Sequence, residues 1–335
     1  MNVAMWGKAV RVIPRVTKDE WDALDIVSRW LIATRSAVLV MTFNASAIAG
    51  LLALRDGAFH LLPWLMVTVG LLFAHATNNL INDFTDHIKG VDKDNYFRSQ
   101  YGPQPLEHGL LTRGQLMMYI AVTGAVAMAA GLYLVATRGE ATLTLLALGA
   151  FFVLFYTWPL KYIGMGEVAV IIVWGPLMVG GGYYVITGGV NADVILASLP
   201  CALAATTVLF GKHTDKLDAD AAKGIRTMPV LLGEKNARLA TIGMVVLQYL
   251  LTLYLVLNGY LSGLMLVVFF AAPWAWRAIQ VYRSERPAAP PPEYPPGIWP
   301  LWYAALSFQH TRRFGMLFLL GLILDVIARG VGLVG

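Results

Sequence analysis

Hydrophobic residues of this chain fall into long runs that are separated by short polar segments. Nine runs have about 20 residues each, which is the length at which an α-helix crosses the hydrocarbon core of a bilayer. Strands of a membrane β-barrel would be shorter and would alternate between apolar and polar positions. We therefore expect an all-α integral membrane protein with nine transmembrane helices. The runs lie at about 33–54, 61–82, 115–136, 141–158, 166–187, 191–211, 237–258, 261–280 and 314–333.

The composition supports this fold class. Hydrophobic residues make up 58% of the 335 residues, charged residues make up 13%, and the mean hydropathy is +0.63. A soluble globular protein has about 25% charged residues, so this chain cannot cover a water-facing surface. The single cysteine, Cys201, excludes an internal disulfide framework and a cysteine-rich zinc site. The net charge of +5 is not gathered in a basic domain, so nucleic acid is not an expected partner.

The first 32 residues lack an apolar run, and we treat them as a cytoplasmic segment that precedes a transmembrane domain over residues 33–335. Thr17 and Glu20 have the spacing of a capping box, which marks the start of a helix. Apolar residues then recur every three positions at Trp21, Leu24, Val27 and Trp30. This pattern predicts an amphipathic helix that lies on the membrane surface.

The distribution of basic residues predicts the orientation in the membrane. With nine spans, all but three of the Lys and Arg residues fall on the side of the N-terminus, and the exceptions are Arg55, Arg138 and Arg329. Positive residues concentrate in cytoplasmic loops, so we expect a cytoplasmic N-terminus and a C-terminus on the opposite side of the cell's inner or plasma membrane. Because the polar clusters lie in the basic loops, the active site should face the cytoplasm.

Residues 78–92, NNLINDFTDHIKGVD, form a first acidic motif at the end of the second run. If the helix continues to Asp86, one stripe within an arc of about 100° contains His75, Asn79, Asn82, Asp83 and Asp86. This stripe should face the interior, because a charge at the bilayer centre costs about 2.5 kcal/mol or more. Amide and carboxylate oxygens suit Mg²⁺ better than Zn²⁺. The basic residues that follow, Lys89, Lys93 and Arg98, make the motif suitable for Mg²⁺-diphosphate.

Residues 212–227, KHTDKLDADAAKGIRT, form a second acidic motif at the end of the sixth run. On a continuous helix Asp215 and Asp218 lie about 60° apart, whereas Asp220 lies about 140° from Asp215. We therefore expect Asp215 and Asp218 to be metal ligands, directly or through water, and the role of Asp220 stays open. Basic residues in the same motif could bind diphosphate oxygens: Lys212, Lys216, Lys223 and Arg226.

These motifs resemble the UbiA superfamily of intramembrane prenyltransferases, and most closely its MenA-like branch. The first motif of that branch, N-L-x-N-D-x-x-D-x-x-x-G-x-D, is matched at every defined position from Asn79 to Asp92. GP at 102–103, HGLLT at 108–112 and YTWPLKYIGMGE at 156–167 look like the same branch. The second motif departs from the family pattern D-x-x-x-D, because no two aspartates are four apart and Lys212 and His213 stand where amides are expected.

The resemblance implies a nine-helix bundle with a central cavity open to lipid, and Mg²⁺-dependent transfer of a prenyl chain from its diphosphate to a small lipophilic or aromatic acceptor. The ligands it implies for two Mg²⁺ ions are Asn79, Asn82, Asp83, Asp86, Asp92, Asp215 and Asp218. The implied diphosphate-binding residues are Arg35, Lys89, Lys93, Lys161, Lys212, Lys216 and Arg226. The implied catalytic residues are Asp86, Asp215, Lys161 and His75, and the pocket for the allylic cation and acceptor contains Asn79, Tyr156 and Trp158.

Several alternatives stay open. A terpene cyclase of the same superfamily would act on the prenyl diphosphate without an acceptor, and a transporter or lipid-binding protein would use its acidic loops structurally. A dihydroxynaphthoate is the favoured acceptor, with hydroxybenzoate-like, homogentisate-like, chlorin and glycerol-ether acceptors as alternatives. His75 could orient the acceptor or bond a neighbouring helix, and Tyr156 and Trp158 could be membrane-interface anchors. Asp325 is expected to pair with Arg329 one turn later.

Overall fold

The computed structural model describes residues 1–93, 102–294 and 298–333. These residues form helices and contain no β-strand. Arg98 lies outside the described residues, as do residues 295–297 of the proline-rich segment 286–300 that precedes the last helix. The α-helices in chain order are α1 Val3–Ala9, α2 Lys18–Asp22, α3 Ile26–Ala33, α4 Val40–Arg55, α5 Leu61–Ile88, α6 Arg113–Arg138, α7 Glu140–Phe155, α8 Gly166–Ile172, α9 Gly182–Thr187, α10 Ala192–Asp215, α11 Leu217–Ala222, α12 Met228–Leu257, α13 Ala272–Tyr282 and α14 Tyr303–Gly330.

Among the described residues, seven helical stretches are long and apolar enough to cross a membrane. They are Ser36–Arg55, Leu61–Ile88, Arg113–Arg138, Gly166–Thr187, Ala192–Asp215, Met228–Leu257 and Gly263–Tyr282. The all-helical, membrane-spanning fold is thus confirmed, whereas the count of nine is not. The other two predicted runs correspond to α7, which has only 16 residues, and to α14, which contains several charged side chains.

The chain forms two compact units. The first consists of Met1–Phe43 and Met66–Pro159, and the second of Asn44–Leu65 and Leu160–Gly335. The first acidic motif belongs to the first unit, and the second acidic motif belongs to the second unit. The N-terminal segment packs within the first unit together with residues of α5 and α6.

The single amphipathic helix predicted near the N-terminus is divided into two helices, and its location at the membrane surface stays a prediction. The capping box of Thr17 and Glu20 is present, but its helix α2 has only five residues, and α3 starts after a break. Asp25 causes the new start, because its side chain accepts a hydrogen bond from the backbone N–H of Ser28 at 3.0 Å. Trp21 is 1% exposed and packs in a cluster with Ile32 and Leu80, so its side chain contacts other residues of the protein.

The second unit is organised around α10, which packs against α12 and α14. Gly211 permits the close approach of α14. A methyl group there would lie 2.6 Å from the Tyr282 hydroxyl oxygen and 2.8 Å from the Ala304 backbone nitrogen. Within α14, the fully buried Asp325 carboxylate pairs with Arg329 at 3.3 Å, as predicted.

Candidate active site

The first acidic motif lies on one uninterrupted helix. Since α5 continues to Ile88, the assumption behind the predicted stripe is confirmed. Asn79, Asp83 and Asp86 are buried, with exposed fractions of 9%, 3% and 4%, and His75 and Asn82 are half-buried. The carboxylates of the stripe are therefore shielded from lipid, as the cost of a lipid-exposed carboxylate requires.

Gly90 ends this helix and turns the chain back. It adopts a left-handed conformation with φ of 67°, which glycine tolerates because it has no Cβ. The Gly90 N–H donates to the His87 carbonyl at 3.0 Å, and the Val91 N–H donates to the Asp86 carbonyl at 2.8 Å. This is the Schellman arrangement of a helix C-terminus. It leaves Asp92 buried directly beyond the helix end.

A buried arginine, Arg35, contacts the stripe. Its guanidinium Nη2 donates to the Asn79 carbonyl at 3.0 Å and lies 3.2 Å from Asp83 Oδ1. Among the described residues it is the one non-glycine residue with positive φ, at 56°. Such a backbone costs about 1–2 kcal/mol, so the surrounding structure must enforce it. The resulting geometry holds a buried positive charge beside the carboxylates.

The two stripe asparagines are oriented by their amide nitrogens. Asn79 Nδ2 donates to the Thr34 carbonyl at 2.9 Å, and Asn82 Nδ2 donates to Thr157 Oγ1 at 3.1 Å. Because nitrogen is the donor in each amide, the oxygen is the atom that can coordinate a cation. Thr34 and Thr157 were not identified from the sequence, since nothing in the local pattern shows that they approach α5.

His75 makes a helix-to-helix hydrogen bond. Its Nδ1 lies 2.7 Å from the Thr42 hydroxyl oxygen in α4. This contact matches the alternative in which His75 forms a hydrogen bond to a neighbouring helix. A role in orienting an acceptor stays a prediction.

Basic and aromatic side chains surround the end of α5. The Lys89 ammonium lies over the ring of Trp158, 4.9 Å from the ring centroid. Trp158, Lys89 and Lys93 are exposed, and Tyr156 is half-buried. His87 Nδ1 lies 2.6 Å from Glu107 Oε1, a pair that no local sequence pattern indicates. Lys89 therefore occupies one face of the ring of Trp158, a residue that the family resemblance assigns to the pocket for the allylic cation.

The second acidic motif does not lie on one helix. α10 ends at Asp215, Lys216 has non-helical φ and ψ of −119° and 25°, and α11 starts at Leu217. The angles predicted for Asp215, Asp218 and Asp220 assumed a continuous helix and were therefore wrong. Asp218 is exposed, whereas Asp220 is buried and lies 2.8 Å from the Lys216 ammonium.

Asp215 caps the N-terminus of α14. Its carboxylate accepts hydrogen bonds from the backbone N–H groups of Trp302, Tyr303 and Ala304 at 3.0, 2.9 and 3.0 Å. The Arg286 guanidinium donates to the Asp215 carbonyl at 2.7 Å. Free N–H groups at a helix start favour a carboxylate. This geometry favours a structural role for Asp215 over the predicted roles as metal ligand and catalytic residue.

Tyr294, in the proline-rich segment before α14, contributes to the same region. Burial raises the pKa of its phenol to about 12, and the nearby Asp215 carboxylate acts in the same direction. The phenol therefore stays neutral and donates to the Leu301 carbonyl. Its ring centroid lies 5.3 Å from that of Trp302.

A buried Glu167–His213 pair connects three elements of the second unit. Glu167 Oε1 lies 2.5 Å from His213 Nδ1, and Glu167 Oε2 accepts from the Met228 backbone N–H at 3.2 Å. The pair joins the starts of α8 and α12 to the end of α10. In the sequence Glu167 is distinguished only by its place in a family pattern, and its partner cannot be predicted across a separation of 46 residues.

The other predicted diphosphate-binding residues of the second unit differ in exposure. Lys161 is buried in the short 3₁₀ segment Leu160–Ile163, and its ammonium lies 5.9 Å from the centroid of the Tyr162 ring. Lys212 is half-buried and Arg226 is exposed. These three residues stay predictions for diphosphate binding.

The donor atoms of the first motif fit Mg²⁺. In the part of the chain that the structure describes, no three His, Cys, Asp or Glu side chains are grouped closely enough to hold a metal. Mg²⁺ does not need such a group, because it usually takes one or two carboxylates and completes its shell with water and substrate phosphates. Asp86 with the amide oxygens of Asn79 and Asn82 supplies suitable atoms. The second motif fits poorly, since Asp215 is a helix cap and Asp220 is paired with Lys216.

Taken with the spans, these motifs define an integral membrane protein with oxygen-rich polar clusters at the ends of apolar helices. A model of the UbiA prenyltransferase family matches residues 43–298, which is more than half of the chain. The chain therefore belongs to the UbiA prenyltransferase family and is a membrane prenyltransferase of its MenA-like part.

Relatives of known name support this assignment. The 1,4-dihydroxy-2-naphthoate octaprenyltransferase of Escherichia coli (strain K12) is 31% identical over 221 residues, covering 62% of this chain and 70% of that protein. UbiA prenyltransferase domain-containing protein 1 of Gallus gallus is 29% identical over 254 residues, covering 73% and 74%.

Solved structures of similar fold are also UbiA homologues. The apo homologue from Aeropyrum pernix K1 gives a TM-score of 0.65 at 16% identity, covering 85% of this chain and 98% of that chain. The homologue from Archaeoglobus fulgidus bound to DMAPP and Mg²⁺ gives a TM-score of 0.55 at 16% identity, covering 86% and 98%. At this level of identity the likeness establishes the fold.

Proposed function

We propose that the protein transfers an isoprenyl chain from a prenyl diphosphate to an aromatic acceptor of the dihydroxynaphthoate type, with release of diphosphate and with dependence on Mg²⁺. The observation that carries this proposal is the buried stripe of α5, where amide and carboxylate oxygens lie beside the Arg35 guanidinium. Such a stripe combines cation ligands with a fixed positive charge, which is what a Mg²⁺-diphosphate ligand requires.

The metal would be held by Asp86 and by the amide oxygens of Asn79 and Asn82, with Asp92 nearby. When bound, Mg²⁺ would neutralise negative charge on the departing diphosphate. Asp83 has a different role in this proposal, because its carboxylate is engaged with Arg35 at 3.2 Å. It positions Arg35, and Arg35 binds the diphosphate.

Other residues would bind and orient the substrates. Lys89 and Lys93 are exposed at the end of the first motif and would attract the anionic diphosphate. Lys161, Lys212, Lys216 and Arg226 are the corresponding candidates of the second unit. His75 lies one turn deeper than Asn79 and is the candidate for orienting the acceptor hydroxyl, with Thr42 fixing its ring. Tyr156 and Trp158 remain candidates for contact with the allylic carbon atoms.

The relatives support the substrate classes. Two bacterial proteins similar to this chain, from Escherichia coli and Bacillus subtilis, carry the name 1,4-dihydroxy-2-naphthoate octaprenyltransferase. The homologue from Archaeoglobus fulgidus was solved with DMAPP and Mg²⁺, and the proposal assigns ligands of these classes to this chain. The prenyl tail and the surrounding membrane lipid are chemically alike, so a cavity open to lipid would admit the tail.

The proposal includes the membrane arrangement expected from the sequence. In it α7 and α14 join the seven apolar stretches as the remaining spans. The N-terminus is cytoplasmic, the C-terminus lies on the opposite side, and both acidic motifs lie toward the cytoplasm. Cysteine accessibility at introduced sites on either side, in a Cys201→Ser background, would test this arrangement.

The direct test is an assay of the purified full chain in lipid nanodiscs with farnesyl diphosphate, MgCl₂ and 1,4-dihydroxy-2-naphthoate. We expect diphosphate release and a prenylated naphthoate, both detected by mass spectrometry, and loss of both with EDTA. Asp86→Asn should lower turnover by about 10²-fold or more, because a charge-neutralising interaction at the leaving group is removed. Asp19→Asn, at an exposed carboxylate of α2, is the matched control and should keep full turnover.

Unchanged turnover in Asp86→Asn would contradict the metal assignment. Diphosphate release without acceptor, together with a cyclic hydrocarbon or alcohol, would establish the cyclase alternative. Transfer to a hydroxybenzoate but not to the naphthoate would correct the acceptor while leaving the prenyl transfer in place.

A further inference from the structure

The second acidic motif already contains a buried cation, which is part of the chain. The Lys216 ammonium lies 2.8 Å from Asp220 Oδ1, and the two side chains are only 8% and 4% exposed. A charge-assisted contact of this length at low exposure holds the ammonium in one place. Lys216 itself is the residue at which the helix breaks, so its position is fixed by the backbone between α10 and α11.

Few carboxylate oxygens of this motif are placed to coordinate a divalent ion. Both oxygens of Asp215 accept backbone N–H groups of α14, and Asp218 is exposed. Asp220 is therefore the one buried aspartate of residues 212–227 that is not a helix cap. Its Oδ2 atom is buried and has no hydrogen-bond partner, while its Oδ1 atom faces Lys216. The negative charge at this position is balanced by the lysine.

We propose that the Lys216 ammonium takes the place of a divalent cation at the second acidic motif, so that the protein binds a single Mg²⁺ ion through the first acidic motif. This inference rests on the proposed function and replaces the expectation of two ions. Several carboxylates can share a region only when positive charge lies between them. At the first motif that charge comes from Arg35 and Mg²⁺, and at the second it comes from Lys216.

The experiment counts bound ions directly. The full chain, purified in detergent, is dialysed against Mn²⁺ with inorganic diphosphate, and the free ion is measured by electron paramagnetic resonance. We expect one Mn²⁺ per chain. Lys216→Asp places a carboxylate one helical turn from Asp220, where the two can share an ion, and should raise the count to two.

Two further variants serve as controls. Lys216→Met removes the charge without adding a ligand and should keep the count at one. Ala222→Asp adds a carboxylate to the same motif but two positions from Asp220, on the opposite side of α11, and should also stay at one. Thermal unfolding of each variant reports whether it is folded, and the count for the unmodified chain tests the inference if Lys216→Asp does not fold.

Two Mn²⁺ ions in the unmodified chain would overturn the inference, as would a count of one in folded Lys216→Asp. Prenyl transfer is measured separately on the same preparations. Absence of transfer together with one bound ion would contradict the proposed function but not the single site. Transfer together with two bound ions would contradict only the single site.

Discussion

The two acidic motifs look alike in sequence and differ in structure. In the first motif a single helix carries the amides and carboxylates from Asn79 to Asp86, and a glycine follows its end, with Asp92 directly beyond. In the second motif the helix stops at Asp215, and its carboxylates are divided among a cap, an ion pair and the surface. An acidic sequence therefore indicates a metal site only when the backbone keeps its side chains on one face.

The largest expected effect on stability is at the Arg35–Asp83 pair. Asp83→Ala removes one partner of a buried ion pair, which typically costs about 3–5 kcal/mol. The free energy of unfolding can be measured by SDS titration in mixed micelles. A loss below about 1 kcal/mol would show that the pair is solvated in the manner of a surface pair and that the stripe is less buried than described.

A double variant sharpens this prediction. Arg35→Met with Asp83→Leu replaces both charges with apolar groups and should recover most of the lost stability. It should not recover prenyl transfer, because the cation that binds diphosphate in our proposal is gone. Recovery of transfer would show that Arg35 acts only in folding.

A smaller effect is expected at Asp215. Asp215→Ala removes the cap of α14, and loss of an N-cap costs about 0.5–2 kcal/mol. Asp215→Asn should lose less than Asp215→Ala, because an amide oxygen still accepts N–H donors. If instead Asp215→Asn kept full stability and lost turnover by about 10²-fold, as expected for Asp86→Asn, Asp215 would be a functional ligand and the contrast between the motifs would fail.

The smallest effect concerns Asp25, a half-buried counterpart of the Asp215 cap. The Ser28 backbone N–H, together with donors from Asn2 and Trp6, holds the pKa of the Asp25 carboxyl well below its usual range. A carboxyl whose pKa is lowered in the folded state stabilises it above the unfolded pKa of about 3.9 and loses that contribution as the pH falls further. We expect cleavage at Lys8 and Arg11 by an acid-tolerant protease to speed up only below this pH.

Asp25→Asn is the matching variant. It should weaken the attachment of α1 already at neutral pH and make the cleavage rate less dependent on pH. A steep pH dependence that persists in Asp25→Asn would assign the effect to another carboxyl group. Prenyl transfer should be unchanged, since Asp25 lies outside both motifs.

Much of the fold could be predicted because hydropathy is a local property. Each of the nine apolar runs became a helical segment, and the stripe of α5 follows from helical periodicity alone. The continuous helix expected around Trp21 is interrupted, because the spacing of its apolar residues says nothing about the break that Asp25 introduces. Local pattern could show that α2 starts at its capping box, but not that Trp21 would pack against Leu80.

The site was predictable to a lesser extent, because its decisive contacts are distant in sequence. The Asp215 cap connects residues 87 to 89 apart, and the Glu167–His213 pair connects residues 46 apart. The break at Lys216 could not be derived either, since neither Gly nor Pro occurs there. By contrast, the Lys216–Asp220 pair has the four-residue spacing of a helical ion pair, so this contact could have been predicted from the sequence.

The double attachment at Asp215 has a consequence for how this protein can be modified. Arg286 donates a hydrogen bond to the Asp215 carbonyl, and the backbone N–H of Trp302 donates one to the Asp215 carboxylate. Both ends of the segment 286–302 are therefore hydrogen-bonded to the same residue. Lengthening a chain segment between two fixed ends costs little free energy, about 0.6 kcal/mol for each doubling of its length. This segment is therefore the natural place for an epitope or a fluorescent reporter, and for sequence insertions during evolution.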